Sequence, residues 1–352
     1  MDTKIIKVDR NNFDIEDLRE ASKILQAGGL VAFPTETVYG IGADGLKEEA
    51  SNKIFSAKGR PSDNPLIIHI ADFDALKVIT KTIPEKGLKL AKQFWPGPLT
   101  LIFDKSKAVP YSITGGLETI AIRMPSHPIA YELIRTSGVY VAAPSANTSG
   151  RPSPTKVEHV IDDLAGKIDY IIDGGKVDIG LESTIVDVTS PTPIILRPGY
   201  ITKAMIEEVI GPVNVDKAIT SKSYNPNIIA KAPGMKYKHY APKGQLIIFE
   251  GIMNKVIKEI NEATKQKLKE NYRVGIIATD ESIDFYLDGD VKTIGTRKDE
   301  DTIASSLFEI LRDFDDDGVD YIFTESFDNS NLGQAIMNRL LKAAGYRVIT
   351  VE

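Results

Sequence analysis

The chain has 352 residues, of which 42% are hydrophobic and 26% charged, with a formal net charge of -6 and no cysteine. That length exceeds what one hydrophobic core usually organises, so two domains are expected, and the acidic balance argues against a broad basic face for nucleic acid. Divided at Gly211, each part carries -3, and the lack of cysteine removes disulfides, thiolate zinc sites and thiol nucleophiles together.

The N-terminal stretch MDTKIIKVDRNNFDIEDL has no apolar core of signal-peptide length, and no run of about 18 apolar residues occurs. A cytoplasmic protein is therefore expected. Lys4 to Val8 reads as a strand, and Asp14 is placed to cap a helix whose Ile15, Leu18, Ala21 and Leu25 recur at helical spacing up to Gly28 and Gly29. Leu30 to Phe33 reads as a short buried strand that Pro34 ends by removing a backbone donor. Thr35, Glu36, Thr37 and Tyr39 follow in a polar turn. Gly40, Gly42 and Gly45 spell G-x-G-x-x-G, but PTETVY separates them from the strand, and position 63, where an acid should end a strand, falls in a polar turn. They are read as flexible turn glycines and not as a dinucleotide fingerprint.

Lys47 to Ala57 predicts a helix that delivers Lys58 at its end. Arg60 follows after one glycine, Pro61 to Pro65 forms a polar turn, and Leu66 to Ile70 predicts a strand carrying His69. A lysine point charge beside an arginine fork suits the oxygens of a polyphosphate, although a solvated basic turn has the same composition. One histidine in an apolar strand is most often a satisfied core residue, and the four histidines show no metal-binding spacing. Phe94 to Phe103 supplies a Pro-Gly-Pro turn into another strand, with Trp95 in the core.

The strand TIAIR, Thr119 to Arg123, puts Arg123 at a sheet rim, where anion recognition and a surface salt bridge are both open. Val139 to Ala143 leads into PSANTSGRPSPT, whose Ser145, Asn147, Thr148, Ser149 and Ser153 offer hydroxyl and amide groups around Arg151. After a helix from Thr155 to Leu164 come the strand YIIDGG, GLESTIVDVT with Ser183 at a strand entrance, and PIILRPG with Arg197 at a strand exit. Five strand ends thus carry Thr35, Arg123, Ser145, Ser183 and Arg197. Such a cleft suits the binding and positioning of anionic substrates better than covalent catalysis.

Gly211 to Gly244 has no usable periodicity, and its centre APGMKYKHYAP gathers Lys236, Tyr237, Lys238, His239 and Tyr240, which fits a linker or a lid over a nucleotide. From Gln245 a strand, a helix Ile252 to Glu270, a strand Val274 to Thr279, a helix after Asp299, the strand YIFTE, a helix Leu332 to Ala344 and a last strand make a small α/β domain. The acidic run DFDDDG, Asp313 to Gly318, reads as a solvated helix end, with cation binding as the alternative.

FPTETVYGIG, KGRPSDNPLIIHI, WPGPLTLI, AIRMPSHP, APSANTSGRPSPT, LESTIVD, LRPG, KYKHYAP and GQAIMNRLLKAA, in this order along nearly the whole chain, resemble the two-domain threonylcarbamoyl-AMP synthases with a YrdC-type N-terminal domain. The resemblance implies an α/β fold: a twisted mixed-sheet YrdC-like domain over 1–211, a linker or lid over 212–244, and a smaller Rossmann-like α/β domain over 245–352. It implies a nucleotidyltransferase that joins threonine, bicarbonate and ATP into threonylcarbamoyl-AMP and pyrophosphate, for threonylcarbamoyladenosine at position 37 of tRNA. By the same resemblance Lys58 and Arg60 are catalytic. ATP is held by Lys58, Arg60, Ser62, Thr119, Ser145, Asn147, Ser153, Arg197, Lys236, His239 and Tyr240, and threonine by Thr35, His69, Arg123, the Ala143 backbone and Ser183, with Arg123 on its carboxylate. Mg2+ is expected on the phosphates and water, with no protein ligands. The expected partners are the three substrates and a downstream tRNA threonylcarbamoyltransferase machinery, with weak or no direct nucleic-acid binding and no membrane. Two other readings differ in what they need. A double-stranded RNA-binding module predicts a basic face, and a carbamoyltransferase of the hydrogenase-maturation type requires zinc-finger and acylphosphatase segments that these residues do not contain.

Overall fold

The computed structural model describes residues 2–220, 232–233 and 239–352. These form two compact units. The first takes in 2–149, Ser153–Thr220 and 232–233, and the second takes in Gly150–Pro152 and 239–352.

The first unit is built on a mixed sheet of eleven strands among the described residues: β1 Lys4–Lys7, β2 Val31–Phe33, β3 Gly40–Asp44, β4 Ile67–His69, β5 Leu99–Asp104, β6 Thr119–Arg123, β7 Val141–Ala142, β8 Tyr170–Asp173, β9 Thr184–Asp187, β10 Ile194–Arg197 and β11 Asn214–Val215. Their order is β1-β8-β2-β3-β7-β4-β6-β5-β9-β10-β11. Strand side chains alternate between faces. Ile68, Leu101, Phe103, Ile122 and Val186 therefore enter one core, together with Ile54, Leu90, Val160, Leu164 and Ile206 from helices Glu48–Lys58, Glu85–Phe94, Val157–Leu164 and Lys203–Ile210. On the other face, Val31, Phe33, Tyr170 and Ile172 pack against Leu25 and Leu133 of helices Arg19–Gln26 and Pro128–Ser137. Further along that face, Ile67, Ala121, Ile102, Ile185 and Leu196 gather into a small cluster closed by Ala232, with no helical residue among its described members. That helix-free stretch of sheet is where the polar strand residues sit.

The second unit is a smaller α/β domain with an all-parallel sheet. Its strands are β12 Gln245–Gly251, β13 Val274–Ala278, β14 Asp290–Thr293, β15 Tyr321–Glu325 and β16 Val348–Val351, in the order β14-β13-β15-β12-β16. Phe249, Ile276 and Phe323 meet Val256 and Ile260 of helix Met253–Lys269 in its core. Asp299 caps helix Glu300–Asp316 by accepting from the Asp301 amide. No helix among the described residues is long and apolar enough to cross a membrane.

Four local expectations change. Gly40 and Gly42 are not flexible turn residues: they lie in β3, paired antiparallel with β2. A Cβ on Gly42 would stand 2.7 Å from Val141 Cγ1 and 2.8 Å from Phe33 Cε1, so close packing is what the glycine serves. Asp14 does cap, through a capping box, but it opens a 3₁₀ turn Ile15–Leu18 that precedes the α-helix, and Ile15 is exposed. The run Asp313 to Gly318 is not a purely solvated helix end, because Asp315 is buried and accepts from the Lys243 amide at 2.6 Å. Past Gly211, β11 pairs in parallel with β10 and continues the first sheet.

Because neither Val141 nor Phe33 has room to move, Gly42→Ala should destabilise the first unit by about 1–3 kcal/mol. In a unit of this size that lowers its thermal midpoint by roughly 2–10 °C, read by calorimetry. An unchanged midpoint would contradict the packed-strand account.

Candidate functional site

Strand register assembles one end of the site. Parallel pairing of β4 with β6 sets His69 beside Arg123, and antiparallel pairing of β5 with β6 sets Thr100 on the other side. Because β9 runs parallel to β5, Ser183 reaches Thr100, with the two hydroxyl oxygens 2.7 Å apart. Arg197, opposite Ile185 at the exit of β10, donates from Nε to the Ser183 carbonyl at 3.0 Å and from Nη2 to its hydroxyl at 3.2 Å. Nη1 of Arg197 reaches the Pro233 carbonyl at 3.4 Å. Ser153 donates to Glu182 Oε1 at 2.6 Å, next to Ser183.

Arg123 is the centre of this end. It is only 4% exposed. Nη1 donates to Thr37 Oγ1 at 2.8 Å and Nε to the Gly97 carbonyl at 3.4 Å. Nη2 lies 2.8 Å from Glu36 Oε1, yet the contact lacks hydrogen-bond alignment. Nη2 and both Glu36 oxygens are thus buried without an aligned partner among the described residues. Thr35 Oγ1 donates to the Val38 carbonyl at 2.6 Å and lies 2.9 Å from Thr37 Oγ1. The Ala143 amide donates to the Ile67 carbonyl at 2.9 Å.

Burial sets the charges here. It pushes the Glu36 carboxyl upward, but the Arg123 guanidinium and the Glu36 and Ser126 amides outweigh it, and the net displacement is below the usual carboxylate range. His69 is lowered to about 3, by burial first and by Arg123 second, so the ring is neutral at physiological pH. A carbonyl can only accept, so its Nδ1–H donates to Ile67 O at 3.2 Å. His127 is lowered to about 4, mainly by burial.

A second polar group lies at the entrances of β4 and β6, where a helix packed on the opposite face of the sheet ends. Gly59, with φ +59°, terminates helix Glu48–Lys58 in the left-handed conformation and leaves Lys58 in its last turn. The buried Lys58 ammonium donates to the carbonyls of Ser145 and Asn147. Ser145 Oγ bonds Asn147 Oδ1 at 2.6 Å. Arg60 Nη2 reaches the Pro65 carbonyl at 3.1 Å, Ser62 is exposed, and Thr119 is half-buried at the start of β6. Strand rise separates Thr119 from Arg123 by roughly 13 Å.

The structure therefore joins Thr35, His69, Arg123, Ser183 and Arg197 at one end, and Lys58, Ser145 and Asn147 at the other. Tyr240, by contrast, is buried in the second unit, stacked on Phe308 with ring centroids 5.0 Å apart, and His239 beside it is half-buried. Lys236 lies outside the described residues. From the sequence, Glu36 and Thr37 are legible only as polar groups of a ligand lip with no role of their own, and Thr100 and Glu182 are not legible as site residues. The available signal was an acid embedded in otherwise uncharged stretches, PTETVY and LESTIV. Among the described residues no group of three or more His, Cys, Asp or Glu could hold a metal ion.

The geometry defines an α/β protein with buried cations and hydroxyls gathered at the strand ends of its mixed sheet. Residues 23–199 match the Sua5/YciO/YrdC family profile, described as "Telomere recombination", and residues 201–345 match the profile "Threonylcarbamoyl-AMP synthase, C-terminal domain". The threonylcarbamoyl-AMP synthase of Pyrococcus abyssi is 50% identical over 99% of this chain and 100% of its own length. That of Bacillus subtilis is 50% identical over 94% of each. A crystal structure of P. abyssi Sua5 complexed with L-threonine superposes with a TM-score of 0.93 at 49% identity, covering 99% of this chain and 100% of the other. The chain belongs to the threonylcarbamoyl-AMP synthase family.

The neutral histidines give a pH signature. An unfolded histidine binds a proton near pH 6.5, whereas His69 and His127 in the fold take theirs only near 3 and 4. Below about pH 6.5 the unfolded state thus holds more protons, and stability falls as pH falls, by at most about 1.4 kcal/mol per pH unit for each ring. Chemical denaturation between pH 7 and 5 should show this loss, and His127→Asn should roughly halve it, leaving the His69 contribution. A stability that is level over that range would contradict buried neutral rings.

Proposed function

We propose that this chain synthesises threonylcarbamoyl-AMP and pyrophosphate from threonine, bicarbonate and ATP, as a nucleotidyltransferase feeding threonylcarbamoyladenosine formation at position 37 of tRNA. The observation that carries the reading is the buried Arg123 Nη2 without an aligned partner, at the exit of strands whose entrances lie beside the loop that Lys58 bonds. The names of the relatives and the threonine complex of the P. abyssi protein support it.

In this reading the threonine carboxylate binds Arg123, with Thr35, His69, the Ala143 backbone and Ser183 around the rest of the molecule. The bound ammonium first loses a proton to solvent, and the free amine then attacks bicarbonate, forming a C–N bond and releasing water, which leaves a carbamate. One carbamate oxygen then attacks the α-phosphorus of ATP. The new P–O bond forms as the bond to the β-phosphate bridge breaks, and pyrophosphate leaves. Two anions must meet for this step, and their repulsion is the barrier that fixed cations lower. Lys58, Arg60, Thr119, Ser145 and Asn147 would hold the nucleotide, with Ser153 and Arg197 towards the α-phosphate. A roughly 13 Å run of strand between the two ends leaves room for a nucleotide along the face. Magnesium fits as a passenger on the triphosphate: when bound it would neutralise phosphate charge, and its preference for water and phosphate ligands asks no protein cluster. A downstream transferase would take the mixed anhydride to tRNA.

Incubation with 13C-bicarbonate, threonine and ATP should yield the labelled mixed anhydride and one pyrophosphate per product. Lys58→Ala should lower turnover roughly 100-fold or more, while Arg123→Ala should chiefly raise KM for threonine. Pyrophosphate release that ignores threonine would contradict the proposal.

A further inference from the structure

An amino acid presents two charges on one carbon, a carboxylate and an ammonium, and Arg123 answers only the first. Glu36 lies beside it, 6% exposed, with Oε1 2.8 Å from Arg123 Nη2. A pair kept only to hold the fold together would be expected to align its donors and acceptors, because a buried ion pair recovers its desolvation cost only with good geometry. This pair does not: Nη2 and both carboxylate oxygens lack an aligned partner among the described residues. The turn that carries Glu36 is fixed through its backbone, the Glu36 carbonyl accepting from Ile179 at 2.9 Å and the Thr37 carbonyl from Gly180 at 3.1 Å. The turn is thereby held in place, and the carboxylate is buried against Arg123 Nη2 with the Glu36 and Ser126 amides near it, its oxygens without an aligned partner among the described residues. Against the upward push of burial, Arg123 and the Glu36 and Ser126 amides keep it ionised at neutral pH.

We propose that Glu36 receives the α-ammonium of the amino-acid substrate, so that Arg123 and Glu36 act together as a clamp for a zwitterion. The clamp selects α-amino acids over hydroxy acids that lack the amine. The inference rests on the reading that threonine binds at Arg123, and it adds Glu36 to the groups that touch the substrate.

The test compares L-threonine with 3-hydroxybutanoate, the same molecule without its amine, by NMR titration on the full chain and on E36Q. The wild type should prefer threonine. In E36Q threonine affinity should fall roughly 10- to 100-fold, the value of a lost charged hydrogen bond, while 3-hydroxybutanoate changes by less than about threefold. Equal losses for both ligands would mean that Glu36 only props Arg123, and would overturn the clamp while leaving threonine binding intact. A wild type that binds neither ligand would overturn the underlying threonine reading as well. Should E36Q fail to fold, E36D keeps the charge but withdraws it by one methylene: threonine must again lose more than 3-hydroxybutanoate, and parallel losses again overturn the clamp.

Discussion

The fold keeps a guanidinium inside a sheet. Arg123 is a strand residue, buried, with a neutral histidine on one neighbouring strand and a threonine on the other. Taking such a charge out of water costs several kcal/mol unless partners replace its hydration, and the described partners replace it incompletely. The deficit is tolerable only because the surroundings add no further positive charge. His69 is held neutral, and Glu36 stays ionised at hydrogen-bonding range. The buried pair of Arg123 and Glu36 is therefore the constraint that the neighbouring strands are arranged around.

The mixed sheet explains how residues far apart in sequence reach that point. Parallel neighbours β4 and β6 bring their exits together, and with them His69 and Arg123. The same register brings their entrances together and sets Thr119 level with the loop that follows Lys58. Two chemically different groups thus lie at opposite ends of β4 and β6, and the apolar residues Ile67, Ala121, Ile102 and Ile185 cover the face that Thr119 and Arg123 share. Helices cover this side of the sheet elsewhere but contribute no described residue to that cluster.

Much of this was legible in the sequence. Alternation in TIAIR and LIIHI gave strands that end in Arg123 and His69, and proline and glycine punctuation marked where each strand stops. The three glycines after PTETVY were harder, because glycine permits a turn and also permits close contact, and only the neighbouring Val141 and Phe33 decide between them. Glu36 was visible as a residue of a polar turn, but its meeting with Arg123 depends on strands that are 86 positions apart for the neighbouring Thr37. Periodicity carries no information about such pairings. Tyr240 is a further case: the aromatic beside lysines stacks on Phe308 within the second unit, a contact that composition does not reveal.

The most direct test of the central claim is a crystal structure of the chain with threonine and a non-hydrolysable ATP analogue. The account predicts the threonine carboxylate within hydrogen-bonding distance of Arg123 Nη2, and phosphates towards Lys58 and Arg60 on the same sheet face. Ligands bound elsewhere, with Arg123 and Glu36 unchanged and untouched, would contradict it.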